Sequence, residues 1–163
     1  MNIQFFISPG EKDRFANATE AVIRNVGRGT RAATEQACTE ILADSLAQVP
    51  VNTGALASTA FYRVQRRGDV KGYNYEGIIG YAGAAGTGYS SDTVNQKTGA
   101  LVSTYATIVH EDLEAKHPVG KAKYLEDPVR AYGQRSFSRV AEKHWKFALD
   151  AANGSASAVP REV

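Results

Sequence analysis

Five acidic or histidine side chains within residues 110–117 form the densest group of possible metal ligands or acid–base groups in the chain. They are His110, Glu111, Asp112, Glu114 and His117. A zinc-binding helix needs two histidines four residues apart on one face, and this spacing is absent. The run YATIVHE predicts a core strand over residues 105–111, which would point His110 and Glu111 to opposite sides. We therefore favour a structural hydrogen bond by His110 or Glu111 at the strand end over metal binding or catalysis.

Two other patterns are weak as chemical sites. The glycine-rich stretch from Gly83 to Gly88, GAAGTG, lacks the Gly-Lys-Ser/Thr of a phosphate-binding loop, and no helical pattern follows it. The single cysteine, Cys38, excludes an intramolecular disulfide and lies in a helical pattern, so we expect it to be a buried small hydrophobe. We expect a protein that is not an enzyme and that needs no cofactor and no metal.

A modest basic patch follows one predicted strand. It consists of Arg63, Arg66, Arg67 and Lys71. The net charge of the chain is only +2, which is low for a protein that binds nucleic acid by neutralising phosphates. A solvated surface is the favoured interpretation, and contact with DNA or with an acidic partner is the alternative.

The composition is that of an ordinary folded domain. The chain has 163 residues, of which 43% are hydrophobic and 22% are charged. We predict one domain over residues 1–163, with its core at about 3–152 and a frayed tail at 153–163. No stretch approaches the length of a membrane span and no export signal is indicated, so we expect a protein that is cytoplasmic or assembled there, without a membrane partner.

A long N-terminal helix is the clearest predicted element. Ser8, Pro9 and Glu11 match a capping box with proline at the first helical position, and an apolar register continues to about Gln48. The alternative is a break at Gly27–Gly29, since each interior glycine costs about 1 kcal/mol relative to alanine. An unbroken helix would be about 60 Å long, too long for one compact domain to cover, so part of it should contact another subunit.

The segment VPVNTGAL forms a corner after this helix. Its structural residues are Pro50, Asn52, Thr53, Gly54 and Leu56. Proline stops the helix, Asn52 and Thr53 are expected to satisfy turn or helix-end backbone groups, and Gly54 permits a conformation unfavourable for other residues. Strands predicted at 60–66 and 75–81 should pair through a hairpin, and a short edge strand is predicted within residues 1–7.

The remaining elements are a long loop and a final helix. Residues 83–104 are rich in Gly, Ser and Thr, and we predict a mobile loop that binds a partner through Gly83, Gly86, Gly88, Tyr89 and Lys97. The last helix should run from about Asp127, or from a turn earlier near Lys121, to Ala152. The predicted fold class is α+β, with both helices packed on a small, mainly antiparallel sheet.

The order of three motifs resembles the head-tail joining proteins of tailed bacteriophages, which include minor capsid, neck and tail-completion proteins. The matching positions are Pro50, Asn52, Thr53, Gly54 and Leu56, then Tyr105, Ala106, His110 and Glu111, then Lys123, Tyr124 and Leu125. The resemblance covers about residues 41–140. The 83–104 segment is longer than the connection usual in that family.

This resemblance implies a structural virion protein in the phage neck, assembled in the host cytoplasm. Its partners would be further copies of itself in a ring, with a hexamer favoured and a dodecamer possible, and other neck, portal-adaptor or tail-tube proteins. DNA would pass through the channel without sequence-specific binding. A small nucleic-acid-binding module and, less favoured, a metal-dependent hydrolase that uses His110, Glu111 and His117 are the alternatives.

Overall fold

Helices and one strand pair make up the part of the chain that the computed structural model describes, which is residues 8–68, 74–82 and 93–152. The helices are α1 (Pro9–Leu46), α2 (Val102–Glu111), α3 (Glu126–Arg135) and α4 (Phe137–Ala152), and the strands are β1 (Phe61–Arg66) and β2 (Tyr75–Gly80). This arrangement confirms the predicted α+β class. The strand predicted within residues 1–7, the hairpin connection at 69–73 and the tail at 153–163 lie outside the described residues.

The capping box predicted at the start of α1 is present. The backbone N–H of Glu11 donates to Ser8 Oγ over 3.3 Å, and the backbone N–H of Ser8 donates to Glu11 Oε2 over 2.9 Å. These bonds satisfy backbone donors that a helix start otherwise leaves unpaired. The hydrogen bond that Ser8 Oγ donates to Glu11 Oε2 over 2.6 Å, and then the bond from the Ser8 N–H, lower the pKa of Glu11. The helix then continues for 38 residues, which corresponds to about 57 Å.

The alternative of a break at Gly27–Gly29 is wrong, because α1 is continuous through both glycines. Gly29 is needed for packing instead. A Cβ atom there would lie 2.8 Å from the carbonyl oxygen of His144 and 3.0 Å from Cβ of Ala148. The backbones of α1 and α4 therefore approach each other at a distance that only glycine allows.

The corner after α1 is anchored to a distant loop. The N–H of Val51 donates to the carbonyl of Val119 over 3.3 Å, and the N–H of Lys121 donates to the carbonyl of Gln48 over 2.9 Å. A short 3₁₀ turn at Ala57–Thr59 then leads into β1. β1 pairs with β2 in an antiparallel register from Phe61 opposite Gly80 to Arg66 opposite Tyr75, as predicted.

The strand predicted for residues 105–111 is wrong, because this segment belongs to helix α2. Val102 is fully buried and Ala106 is 9% exposed, while Tyr105 and Val109 pack against the same core. These positions recur at the spacing of a helix face, so burial of that face outweighs the strand preference of the β-branched residues.

The single C-terminal helix predicted from about Asp127 to Ala152 is also wrong, because it is divided into α3 and α4. Ser136 between them has φ −120° and ψ −29°, outside the helical range. Tyr132 of α3 and Val140 of α4 lie in one buried cluster with Ala37 of α1, so both helices cover α1.

Two apolar clusters form the core of the described residues. One joins α1, α3 and α4 through Ala33, Ala37, Ile41, Tyr132 and Val140, with Ile79 of β2 packed against it. The other lies below the corner and contains Val49, Leu56, Tyr81, Ala82, Val102, Ala106 and Tyr124. Cys38 is buried, as predicted, and burial raises the pKa of its thiol.

Candidate functional site

The acidic and histidine residues at the end of α2 form a network that connects α2 to α3. His110 Nδ1 lies 2.8 Å from Glu111 Oε1, so these side chains do not point to opposite sides as the strand prediction required. Lys123 Nζ pairs with Glu111 and, over 2.9 Å, with Glu126 Oε2. The hydrogen bond from Lys123 and then that from His110 lower the pKa of Glu111, and the same network raises the pKa of Lys123.

Asp112 and His110 make further structural contacts, whereas His117 Nε2 is buried without a hydrogen-bond partner in the described residues. Asp112 Oδ1 accepts from the backbone N–H groups of Glu114 and Ala115 over 3.0 and 3.1 Å, which forms a turn after α2. His110 packs edge-on against the ring of Tyr124, with ring centroids 4.9 Å apart. Across residues 8–68, 74–82 and 93–152, no group of three His, Cys, Asp or Glu side chains could hold a metal ion.

The corner residues mainly shape the chain, with one link to the predicted partner loop. Gly54 has φ +77°, the left-handed conformation predicted for it. Thr53 Oγ1 accepts from the N–H of Ala55 over 3.4 Å, which is a turn contact of the expected kind. Asn52 instead accepts a hydrogen bond from Lys97 Nζ over 3.0 Å. Pro50 follows the fully covered Val49, and Leu56 is part of the core.

Part of the segment predicted as a mobile loop has regular structure. Lys97 lies in a turn in which the N–H of Gly99 donates to the carbonyl of Asn95 over 2.8 Å, and Val94 forms an isolated bridge with Leu101. Residues 102–104 belong to α2, so the prediction of a loop up to residue 104 is wrong at its end. Gly83, Gly86, Gly88 and Tyr89 lie outside the described residues.

The basic residues of the predicted patch do not share one surface. Arg63 and Arg66 lie three positions apart on β1, so their side chains project from opposite faces of the sheet. Arg67 Nη1 lies 3.7 Å from Glu76 Oε1 of the neighbouring strand. Lys71 lies outside the described residues. The described patch is therefore divided by the sheet and partly neutralised.

The first half of α1 is the largest uncovered structural feature in the described residues. None of residues 9–26 is buried, whereas burial begins at Gly27, two residues before the close contact of Gly29 with α4. Phe15 is 76% exposed, and Val22 and Ile23 are 36% and 40% exposed. The apolar register of α1 thus continues for about 27 Å beyond the part that the rest of the subunit covers.

The outer surface of α4 carries a second uncovered apolar feature. An open groove of about 580 Å³ runs along this helix and is lined by Phe137, Ala141, Trp145 and Leu149 together with polar residues at its rim. Phe137, Trp145 and Leu149 are 53%, 46% and 42% exposed. Trp145 also donates its indole N–H to Thr30 Oγ1 over 3.1 Å, which fixes the ring beside α1.

Comparisons with protein-family models, with curated proteins and with solved structures gave no match. Among the described residues, no helix is both long enough and apolar enough to cross a membrane. The candidate site is therefore defined by the geometry of this chain alone, and its most prominent parts are the uncovered half of α1 and the groove on α4.

Proposed function

We propose that this chain is a non-enzymatic structural subunit of the neck of a tailed bacteriophage. Its copies form a ring around the DNA exit channel and join head to tail, as a tail-completion, tail-terminator or head-completion protein of the virion. A hexamer is the favoured ring and a dodecamer is the alternative. Its other neighbours are portal-adaptor, neck or tail-tube proteins, and DNA passes the ring without sequence-specific contacts.

The uncovered half of α1 is the observation that carries this proposal. Phe15, Val22 and Ile23 lie on a stretch of helix that no other part of the described chain contacts extensively. Burying one large apolar side chain contributes about 1.5–3 kcal/mol, so a partner that covers these side chains gains binding free energy. Short helices without tertiary contacts are marginal in water, so the partner also stabilises this half of α1.

The motif resemblance supplies the identity of the assembly. The corner that precedes the sheet has the conformation expected for Gly54 and the contact expected for Thr53. Lys123, Tyr124 and Leu125 directly precede α3, the first of the two final helices, whereas the corresponding segment in the resembling family opens its last helix. Tyr105 and Ala106 keep their place in the motif order, although they lie on a helix.

The mass of the purified protein in solution tests this proposal. We expect light scattering to give a defined multiple of the subunit mass of 17.5 kDa, and negative-stain images to show closed rings. A protein that stays monomeric at all concentrations, and that binds neither phage heads nor tails that lack their neck proteins, would contradict it. Substitution of Phe15 by Asp should reduce the assembled fraction, whereas Asn17→Asp on the opposite side of α1 should not.

A further inference from the structure

We infer that the uncovered half of α1 of one copy docks into the groove on α4 of the next copy, so that the subunits associate head to tail. This inference rests on the proposed ring and names the two surfaces that form it. Docking uses two apolar surfaces of the same chain, one on α1 and one on α4.

The apolar stripe on α1, formed by Phe15, Val22 and Val26, is suited to a second helix because the same face of α1 packs against a helix further along the chain. Phe15, Val22 and Val26 share a helix face with Ala33 and Ala37, which lie in the buried cluster with Val140 of α4. The same face is thus covered by a helix in the second half of α1 and left uncovered in the first half. The partner that completes this pattern is another amphipathic helix.

The groove on α4 cannot be filled by the first half of α1 of its own chain. α1 is one unbroken helix from Pro9 to Leu46, so its first half extends away from the segment that contacts α4 and cannot fold back. A second copy meets no such restriction. The stripe of one molecule therefore contacts the groove of another molecule.

The two surfaces correspond in length and in spacing. Residues 9–26 of α1 extend about 27 Å, and the 16 residues of α4 extend about 24 Å. In an antiparallel arrangement, the steps of seven and four residues from Phe15 to Val22 and Val26 compare with steps of eight and four residues from Leu149 to Ala141 and Phe137. Each apolar side chain of the stripe then lies opposite an apolar position of the groove.

Charges at one end of this arrangement also correspond. Lys12 lies one turn before Phe15, and Asp150 borders the groove next to Leu149, so the antiparallel orientation brings a cation towards an anion. The same orientation places the N-terminal end of α1 beside the C-terminal end of α4, where the helix dipoles attract. A parallel orientation would separate Lys12 from Asp150.

The contact is heterologous, since the stripe and the groove are different surfaces. Each subunit offers one of each, so the contact can repeat from copy to copy, and it forms a ring when the rotation between neighbours closes. Pairing of two α1 stripes would instead be isologous and would stop at a dimer. The two arrangements therefore differ in how variants complement one another.

Complementation between two variants tests the docking. Phe15→Asp disables the stripe and leaves the groove, and Leu149→Asp disables the groove and leaves the stripe. We expect each variant alone to remain at 17.5 kDa by light scattering, and an equimolar mixture to form a species of twice that mass. Phe147→Asp is the matched control, because Phe147 is 39% exposed on the same helix but does not line the groove.

Cysteine cross-linking gives an independent measurement that does not need a charge in the groove. In protein that carries both Phe15→Cys and Leu149→Cys, oxidation should produce a ladder of disulfide-linked oligomers on a non-reducing gel. Each single variant should remain largely uncross-linked, since the thiol of Cys38 is buried. Far-UV circular dichroism establishes that every variant is folded.

Four results would overturn the docking. Leu149→Asp protein that assembles like the wild type shows that the groove is not used. Phe15→Cys protein that cross-links by itself to a dimer shows isologous pairing of α1. An intact ring in both charged variants refutes the docking while the proposed neck function stands, whereas wild-type protein that neither assembles nor joins phage particles refutes both.

Discussion

The hydroxyl groups of Ser45 and Tyr81 lie 2.8 Å apart in a buried hydrogen bond that joins the end of α1 to the residue after β2. Ser45 is fully buried, and Tyr81 packs edge-on against Tyr124 with ring centroids 5.1 Å apart. Burial raises the pKa of Tyr81, and the hydrogen bond to Ser45 opposes part of this rise. The long helix and the sheet are thereby held together beneath the corner.

Loss of this hydrogen bond should destabilise the subunit. We expect Ser45→Ala and Tyr81→Phe each to lower the free energy of unfolding by about 1–3 kcal/mol, because each removes one hydroxyl and leaves the other buried without its hydrogen-bond partner. The double variant should lose less than the sum of the two, with a coupling of about 1 kcal/mol. Urea denaturation measures all three values. Strict additivity would show that the bond contributes nothing, and Tyr62→Phe, at an exposed position, is the control.

Gly77 and Cys38 form a second pair that can be tested by compensation. A Cβ atom at Gly77 would overlap Cys38 Sγ and lie 3.2 Å from Thr34 Cγ2. We expect Gly77→Ala to cost about 1–3 kcal/mol through overpacking. In a Cys38→Ala background, part of this cost should disappear because the overlapping sulfur is removed. An equal cost in both backgrounds, by thermal or urea unfolding, would contradict the prediction.

Gly133 provides the opposite case within helix α3. A Cβ atom there would have no neighbour within 4 Å. Since glycine in a helix interior is less favourable than alanine by about 0.5–1 kcal/mol, Gly133→Ala should raise the free energy of unfolding by about that amount. A destabilised Gly133→Ala protein in the same urea measurement would indicate that this face of α3 is covered in solution.

Lys123 combines an ion-pair network with an unusual backbone conformation. Its φ is +56°, and its N–H donates to the carbonyl of His110 over 2.8 Å. Lys123→Ala and Lys123→Gly both remove the ion pairs, but only glycine also removes the steric strain of a Cβ atom in the left-handed conformation. We expect the glycine variant to be more stable than the alanine variant by about 1 kcal/mol. The same two substitutions at Lys121, which does not have a positive φ, should not favour glycine.

His144 lies where α4 contacts α1, and it should make the free energy of unfolding depend on pH. Its Nε2 lies 2.7 Å from Gln36 Oε1, and burial, with a smaller effect of Lys143, lowers its pKa. The unfolded chain therefore binds more protons as the pH falls below about 6.5, so stability present above that pH is lost below it. We expect the melting temperature to fall less from pH 7.5 to 5.5 in His144→Gln than in the wild type. Equal falls in both proteins would refute this assignment.

Sequence patterns predicted the fold where local signals were strong. The capping box at Ser8 and the long apolar register sufficed for α1, and β-rich runs bounded by glycine sufficed for β1 and β2. Helix α2 was missed because Val102, which begins its buried face, lies in a stretch of loop-like composition. The seven residues from Tyr105 to Glu111 are too few to separate a period of two from a period of 3.6.

The candidate site was predictable only in part. The length of α1 indicated that part of it would extend beyond the rest of the subunit, and contact of that part with another subunit stays a prediction. The groove on α4 had no separate signal. Trp145 and Leu149 fit the same helical register as buried Val140 and Ala148, because the apolar arc of α4 is wider than the surface that α1 covers. The positive φ of Lys123 likewise has no sequence signal, since it follows from the position of α2 relative to α3.

The absence of any break in α1 at Gly27–Gly29 makes the uncovered half of this helix a lever arm. Its hydrogen-bonded backbone passes directly into the segment clamped by α4, so the outer end and the body of the subunit turn together. A rotation of 10° at the clamp would move the outer end by about 4–5 Å over an arm of this length. In the proposed ring, a small tilt of one subunit would therefore reach its neighbour as a displacement of about one helical turn.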